Sequence, residues 1–343
     1  MELRARDYSI DFLKALAVTG VIMIHVSSKG YIYPVGSINW VSSLFWSTIS
    51  RASFPIFLMC SGALLLSGSE GLTIKKLFTK NLKRIIVALF FWALAYSMYH
   101  LINNGNLNIQ SFTYAIKEVI LFRHEFHLYY LHIMVIVYLC LPITVIITNN
   151  ATKGQLRYIL AFWFVFAVLY PTVKPFWPFT LITGMPNQWM LNMTYASIGY
   201  GVLGFYIKKY PLKAKLAYVS LFLAGSLLIF ISVWVISVKQ KFLFENFFEG
   251  MSPFVCMMAA GLFGYCTNYV KSPPGIITHI SKASFCIYLV HIFFLYEFIG
   301  FGFTVSVFPC IISIPIMVSA IFMCSWVFYI IMSHIPIANK WLV

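Results

Sequence analysis

Acidic residues are scarce in this chain: 9 Asp and Glu among 343 residues, against 24 Lys and Arg. Charge of either sign is thin, at 10% of the residues. Soluble domains carry roughly 25% charged residues, so this chain could not cover a water-facing surface. A water-soluble enzyme, a disordered chain and a nucleic-acid reader are thereby excluded. CxxC spacing is also lacking. The 7 cysteines all lie inside apolar runs, where they read as small apolar residues, and neither a disulfide nor a metal site is expected. There is no internal repeat, low-complexity tract or Ser/Gly linker, and no soluble domain is expected at either end.

What is present is apolar. Hydrophobic residues make up 61% of the chain, and the mean hydropathy is +0.86. The apolar runs are continuous, which excludes a membrane β-barrel with its alternating segments. A spanning helix needs about 20 mostly apolar residues. Runs between polar breaks predict an all-α, polytopic membrane helical bundle, one domain over 1–343. About ten spans are expected, at roughly 10–28, 41–67, 85–102, 128–148, 157–173, 191–207, 216–237, 252–270, 283–302 and 308–332. The first lacks a small-x-small cleavage site and is kept as a span. Pro171 and Pro175 shorten the fifth.

The basic residues orient the bundle. With the N-terminus inside, sixteen of the 24 Lys and Arg fall on inner segments and six on outer loops, while Lys14 and Arg51 fall within spans. This bias supports N-in and C-in. Dropping the fifth span would move the Lys208–Lys215 cluster outside. The net charge of +15 is therefore read as a topology signal. The longer outer loops, about 103–127 and 172–190, are rich in Asn, Pro and aromatics such as Phe176, Trp177, Phe179 and Trp189. These fit an interfacial aromatic belt or stacking platforms for sugar rings.

Ionisable side chains at membrane depth are costly and usually mark function. In IDFLKALAVTGVIMIH, Lys14 and His25 differ by about 20° around the helix, Asp11 lies about 40° from His25, and Lys14 and His25 are about 16 Å apart along the axis. One polar stripe crosses an otherwise apolar helix and reads as a pathway wall. The plainer reading pairs Asp11 with Lys14 at i,i+3 and leaves His25 as a satisfied core histidine. Arg51, in SRASFPIFLMCSG, lies near mid-membrane and cannot deprotonate. It needs an anion, carbonyls, water, or a structural pair with Asp11 or Glu297. Pro55 and Ser61-Gly62 allow a kink and close helix contact there. His127 lies at the outer interface where the fourth span opens, His132 lies deeper in that span, and Tyr288 and His291 share a face of the ninth. The inner loop GLTIKKLFTKNLKRII carries Lys75, Lys76, Lys80, Lys83 and Arg84. It serves either topology or a phosphorylated ligand.

At these residues the sequence resembles the acyltransferase family 3 of integral membrane proteins. The likeness rests on four pieces in order: Asp11, Leu13, Lys14, Ala17 and His25; Ser50 to Gly62; His127 to Leu131, then Tyr138 to Pro142; and Ser284, Ile287, Tyr288 and His291. Within the family it is most similar to the enterobacterial-common-antigen O-acetyltransferase type. The resemblance implies acetyl-CoA as cytoplasmic donor, with no permanently bound cofactor. It implies as acceptor a sugar hydroxyl on a surface or lipid-linked glycan, and a place in the bacterial inner membrane among its lipids. It implies that His25 is catalytic and that Lys14 and Arg51 are needed. Lys14 replaces the commoner Arg, Tyr129 stands where Trp is common, and the R-x-x-R after the second helix appears only as Asn81-Leu82-Lys83-Arg84.

Stripe and resemblance combine into one expectation. Donor phosphates lie on Lys75, Lys76, Lys83, Arg84 and Lys14, and the acyl carbon reaches His25. His25 acts as general base, and Arg51 stabilises the oxyanion or orients a substrate. Asp11, His127, Tyr130, Tyr288 and His291 complete the substrate contacts. Direct transfer is favoured over an acyl-enzyme. The alternative class is a proton-coupled transporter or flippase for a lipid-linked glycan or small metabolite.

Overall fold

The computed structural model describes residues 6–66, 73–271 and 274–343. Among the described residues the regular structure is all helical. Ten segments form the bundle: α1 (Tyr8–Ile32), α2 (Ile38–Leu65), α3 (Ile74–Asn103), α4 (Phe126–Asn150), α5 (Lys153–Val173), α6 (Met193–Lys209), α7 (Lys215–Gln240), α8 (Asn246–Tyr269), α9 (Gly275–Gly300) and α10 (Cys310–Ser333). Nine of these described segments are long and apolar enough to cross a membrane. The sixth expected span forms α6, at 17 residues the shortest of the set. The expected end of the second span, at 67, lies outside the described residues.

Local sequence starts the helices where the side chains can cap them. Asp7 accepts the backbone N–H groups of Ser9 and Ile10 at the start of α1. Thr152 and Gln155 form a reciprocal capping box at the start of α5. Ser252 accepts the Val255 N–H within α8. One expectation is corrected here. The basic stretch 74–84, read as a loop, is helical, and α3 begins at Ile74 rather than near 85. Thr73 caps it by accepting the Lys76 N–H, and Lys and Leu are good helix formers that continue it. The connection after α3 likewise contains a short helix, Ile109–Ile120, capped by Asn108.

α1 lies at the centre, packed against α2, α8, α9 and α10. α2 also packs closely on α6, α7 on α8, and α9 on α10. Glycine permits the α2–α6 approach: a Cβ on Gly62 would run into the Gly201 carbonyl, and one on Gly204 into the Met59 backbone. α2 is two helices, Ile38–Ser50 and Ser53–Leu65, meeting at a turn over Arg51 and Ala52. Pro55 cannot supply the N–H that would close the next helical turn on the Arg51 carbonyl, so the helix bends there.

Charged groups tie the first-residue end of α1 to its neighbours. Asp7 pairs with Lys208 at the end of α6. Burial disfavours the Asp7 charge, but the Lys208 ammonium and the Ser9 and Ile10 donors outweigh it and hold the carboxyl below its ordinary range. The pair also places the Lys208–Lys215 stretch on the same side of the bundle as Asp7.

Candidate active site

The bend in α2 and the last turn of α1 open onto one cavity of about 190 Å³. Its wall includes His25, Arg51, Tyr130, Tyr288, Glu245 and Glu249. His25 lies in the last turn of the α-helical part of α1, which ends at Ser27, and Ser28 donates its hydroxyl to the His25 carbonyl. The imidazole is half-buried and, among the described residues, forms no hydrogen bond. It packs edge-on against Phe126 and stands 5.2 Å, centroid to centroid, from the His291 ring.

Arg51 enters from the α2 bend. Its guanidinium donates to the Ser47 hydroxyl at 2.7 Å and lies over the Phe248 ring at 3.8 Å. Its Nε is buried and, among the described residues, has no hydrogen-bond partner. Among the described residues no carboxylate lies within ion-pair distance of it, although Glu245 and Glu249 line the same cavity. A cation so placed carries donor capacity that the protein does not use. Aromatic rings form the opposite wall: Tyr130 packs on Phe54, Phe57 and Tyr288, and Tyr129 stacks on Phe54.

Behind this wall sit two fully buried histidines. His127 donates its Nε2 hydrogen to the Leu289 carbonyl at 3.3 Å, and His291 its Nδ1 hydrogen to the Tyr288 carbonyl at 2.6 Å. The Tyr288 hydroxyl donates to the His127 carbonyl. The Tyr96 hydroxyl bridges the Phe293 N–H and the Leu289 carbonyl. α3, α4 and α9 are thus pinned together at the level of the cavity.

The expected site residues therefore fall into two groups. His25, Arg51, Tyr130 and Tyr288 share the cavity, with His127 and His291 directly behind. Asp11, Lys14, Lys75, Lys76, Lys83 and Arg84 lie toward the other end; Asp11 is about 21 Å from His25 along α1. Asp11 is buried and saturated, bonded by Arg6 at 2.5 Å and by the Ser281 hydroxyl at 2.6 Å. The considered Asp11–Lys14 pair is absent, because the Arg6 fork from the preceding turn takes both carboxylate oxygens. Nor does Arg51 pair with Asp11 or Glu297. Lys14 is half-buried, with no hydrogen-bond or ion-pair partner among the described residues. Lys75 and Lys76 are exposed. Lys83 lies over Trp341, and Arg84 donates to the Val343 carbonyl.

Cavity residues not singled out from sequence include Glu245, Phe248, Glu249 and Phe54. The first three belong to the short connection between α7 and α8 and the first turn of α8. Two of only nine acidic residues fall there, a clustering that could have drawn notice. His132, in the fourth span, pairs with His124 at 3.1 Å between ring nitrogens.

Residues 7–332 match the family described as an acyltransferase domain. No curated protein and no solved structure matches the chain.

Proposed function

We propose that this chain, which belongs to that acyltransferase family, moves an acetyl group from cytoplasmic acetyl-CoA to a sugar hydroxyl of a surface or lipid-linked glycan. The observation that carries the reading is the pairing, in one cavity, of an unbonded histidine with an arginine that has no ion-pair partner. The acceptor enters at the Glu245 and Glu249 side, where carboxylates accept sugar hydroxyls and aromatic rings offer flat faces. The donor approaches from the opposite end, its phosphates on Lys14 and the exposed lysines of α3. α1 is then the axis of the reaction. In orientation, both termini lie in the cytoplasm, as the basic bias supports, and the membrane is the bacterial inner membrane, as the resemblance implies. In motif the chain resembles the enterobacterial-common-antigen O-acetyltransferase type.

The chemistry follows from the side chains. Neutral His25 takes the proton of the acceptor hydroxyl as its oxygen attacks the thioester carbon. Arg51 faces the oxygen that becomes negative and stabilises it with hydrogen-bond donors in a site shielded from water. The carbon–sulfur bond breaks, and His25 returns the proton to the departing thiolate. One new ester and one free thiol result. Among the described residues neither Ser nor Cys lines the cavity, which fits direct transfer.

The test is incubation of the purified protein with acetyl-CoA and lipid-linked glycan. Thiol release should require the glycan and match, mole for mole, an acetyl increment in glycan mass. Glycan movement across vesicles with no thiol release would contradict the reading and favour a flippase.

A further inference from the structure

The three histidines at the cavity have unequal proton inventories. A hydrogen bond to a backbone carbonyl can be made only by a ring N–H. His291 therefore carries its proton on Nδ1, toward Tyr288, and His127 carries its own on Nε2, toward Leu289. Each neutral ring is left with one lone-pair nitrogen, His291 Nε2 and His127 Nδ1. Both are buried and, among the described residues, without a partner. Neither ring can serve the other, because each has committed its single proton to a carbonyl. A neutral imidazole has one donor to give, and only His25 among the three has not given it.

The geometry brings that donor within reach. The His25 and His291 centroids are 5.2 Å apart with a 35° tilt. The His124–His132 pair in the same protein has centroids 5.1 Å apart with a 31° tilt, and its facing nitrogens are 3.1 Å apart. Rotation of the His25 ring about its Cβ–Cγ bond changes which edge it shows to its neighbour. No comparable carboxylate is available: Asp11 is saturated at the far end of α1, and no acidic side chain bonds to His25 among the described residues.

We propose that His291 is the positioning residue for His25: its Nε2 accepts the His25 ring N–H and so leaves the other His25 nitrogen as a lone pair facing the cavity. This rests on the reading of His25 as the base. Tyr288 fixes the ring through its carbonyl, and His291 fixes the tautomer of His25, the task that a carboxylate performs in a catalytic triad. When His25 takes the acceptor proton, its other N–H stays on His291 Nε2. No proton passes to His291, whose Nδ1 hydrogen remains with the Tyr288 carbonyl. His291 does not line the cavity wall, so it acts through His25 and not on substrate.

The experiment compares His291→Leu and His291→Gln in the purified protein. Leucine offers no acceptor and should lower kcat on the order of 10- to 100-fold, as loss of an orienting partner does elsewhere, with KM for both substrates unchanged. Glutamine can donate its amide N–H to the Tyr288 carbonyl and accept with its oxygen, so it should restore most of the rate. Nitrogen NMR of histidine-labelled protein gives a readout independent of activity. His25 should hold one tautomer in the wild type and in His291→Gln, and a mixture in His291→Leu. If the leucine variant does not fold, His291→Met carries the same test. Wild-type kcat and an unchanged His25 tautomer in a folded His291→Leu or His291→Met would overturn the proposal, even with His25→Gln inactive. An active His25→Gln would instead remove the base assignment, while the NMR comparison would still report whether His291 sets the tautomer.

Discussion

Arg51 and the two carboxylates at the cavity mouth have separable tasks, and substitution should separate them. Arg51 presents planar donors that lysine cannot reproduce. Arg51→Lys should keep its charge and fold, yet lose on the order of 10²–10³ in kcat, as removal of an oxyanion donor does; single-turnover acylation with saturating donor reads this. Glu249 lines the same cavity and has no part in the proposed proton path. Glu249→Gln should raise KM for the glycan several-fold and leave donor binding by equilibrium dialysis unchanged. A fall in kcat alone would move Glu249 into the chemistry. His25 and Arg51 were legible in the sequence because a titratable group inside an apolar run has few innocent explanations. Glu245 and Glu249 were not, because acids in a connection between spans look like any solvated loop until the fold sets them on the cavity wall.

The helices show a similar division between what pattern reveals and what packing decides. Span positions followed from hydropathy, since only continuous helix satisfies the backbone in lipid. The start of α3 did not, because a lysine-rich stretch reads as loop by charge while its helix propensity is high. Nor did the Asp11 partnership, which depends on how Arg6 folds back over the first turn of α1. Two contacts can be tested. Gly204→Leu forces a side chain into the Met59 backbone and should destabilise the α2–α6 pair by about 1–3 kcal/mol, seen as a lower thermal midpoint in detergent. Asp7→Ala removes a helix cap and should cost about 1 kcal/mol. Because the Asp7 carboxyl is held below its ordinary range, its contribution is complete above the unfolded carboxylate pKa and fades as pH falls through the folded one. The gap in thermal midpoint between wild type and Asp7→Asn should therefore be present at neutral pH and shrink below about pH 4. A gap that stayed constant into acid would mean that the Asp7 charge is not what ties α1 to α6.

Across the bundle, the two groups of polar residues sit toward opposite ends of α1, and their separation is what the proposed transfer between two compartments requires. The sides can be read directly. Single cysteines at Asn106 and Lys239 should react with an impermeant thiol reagent from outside, and those at Thr79 and Lys213 only after the cells are opened. All four positions are exposed. Labelling of Lys213 from outside would reverse the placement of the α6–α7 turn and, through the Asp7–Lys208 pair, of the start of α1.

The most direct measurement is single-turnover transfer by His25→Gln in proteoliposomes, with acetyl-CoA binding followed on the same sample. Glutamine keeps a hydrogen bond but cannot take a proton at neutral pH. Donor should bind as in the wild type, while glycan acetylation and thiol release should both fall by on the order of 10²–10⁴. Near wild-type turnover by this variant would contradict the assignment of the His25 cavity as the place where the acyl group is transferred.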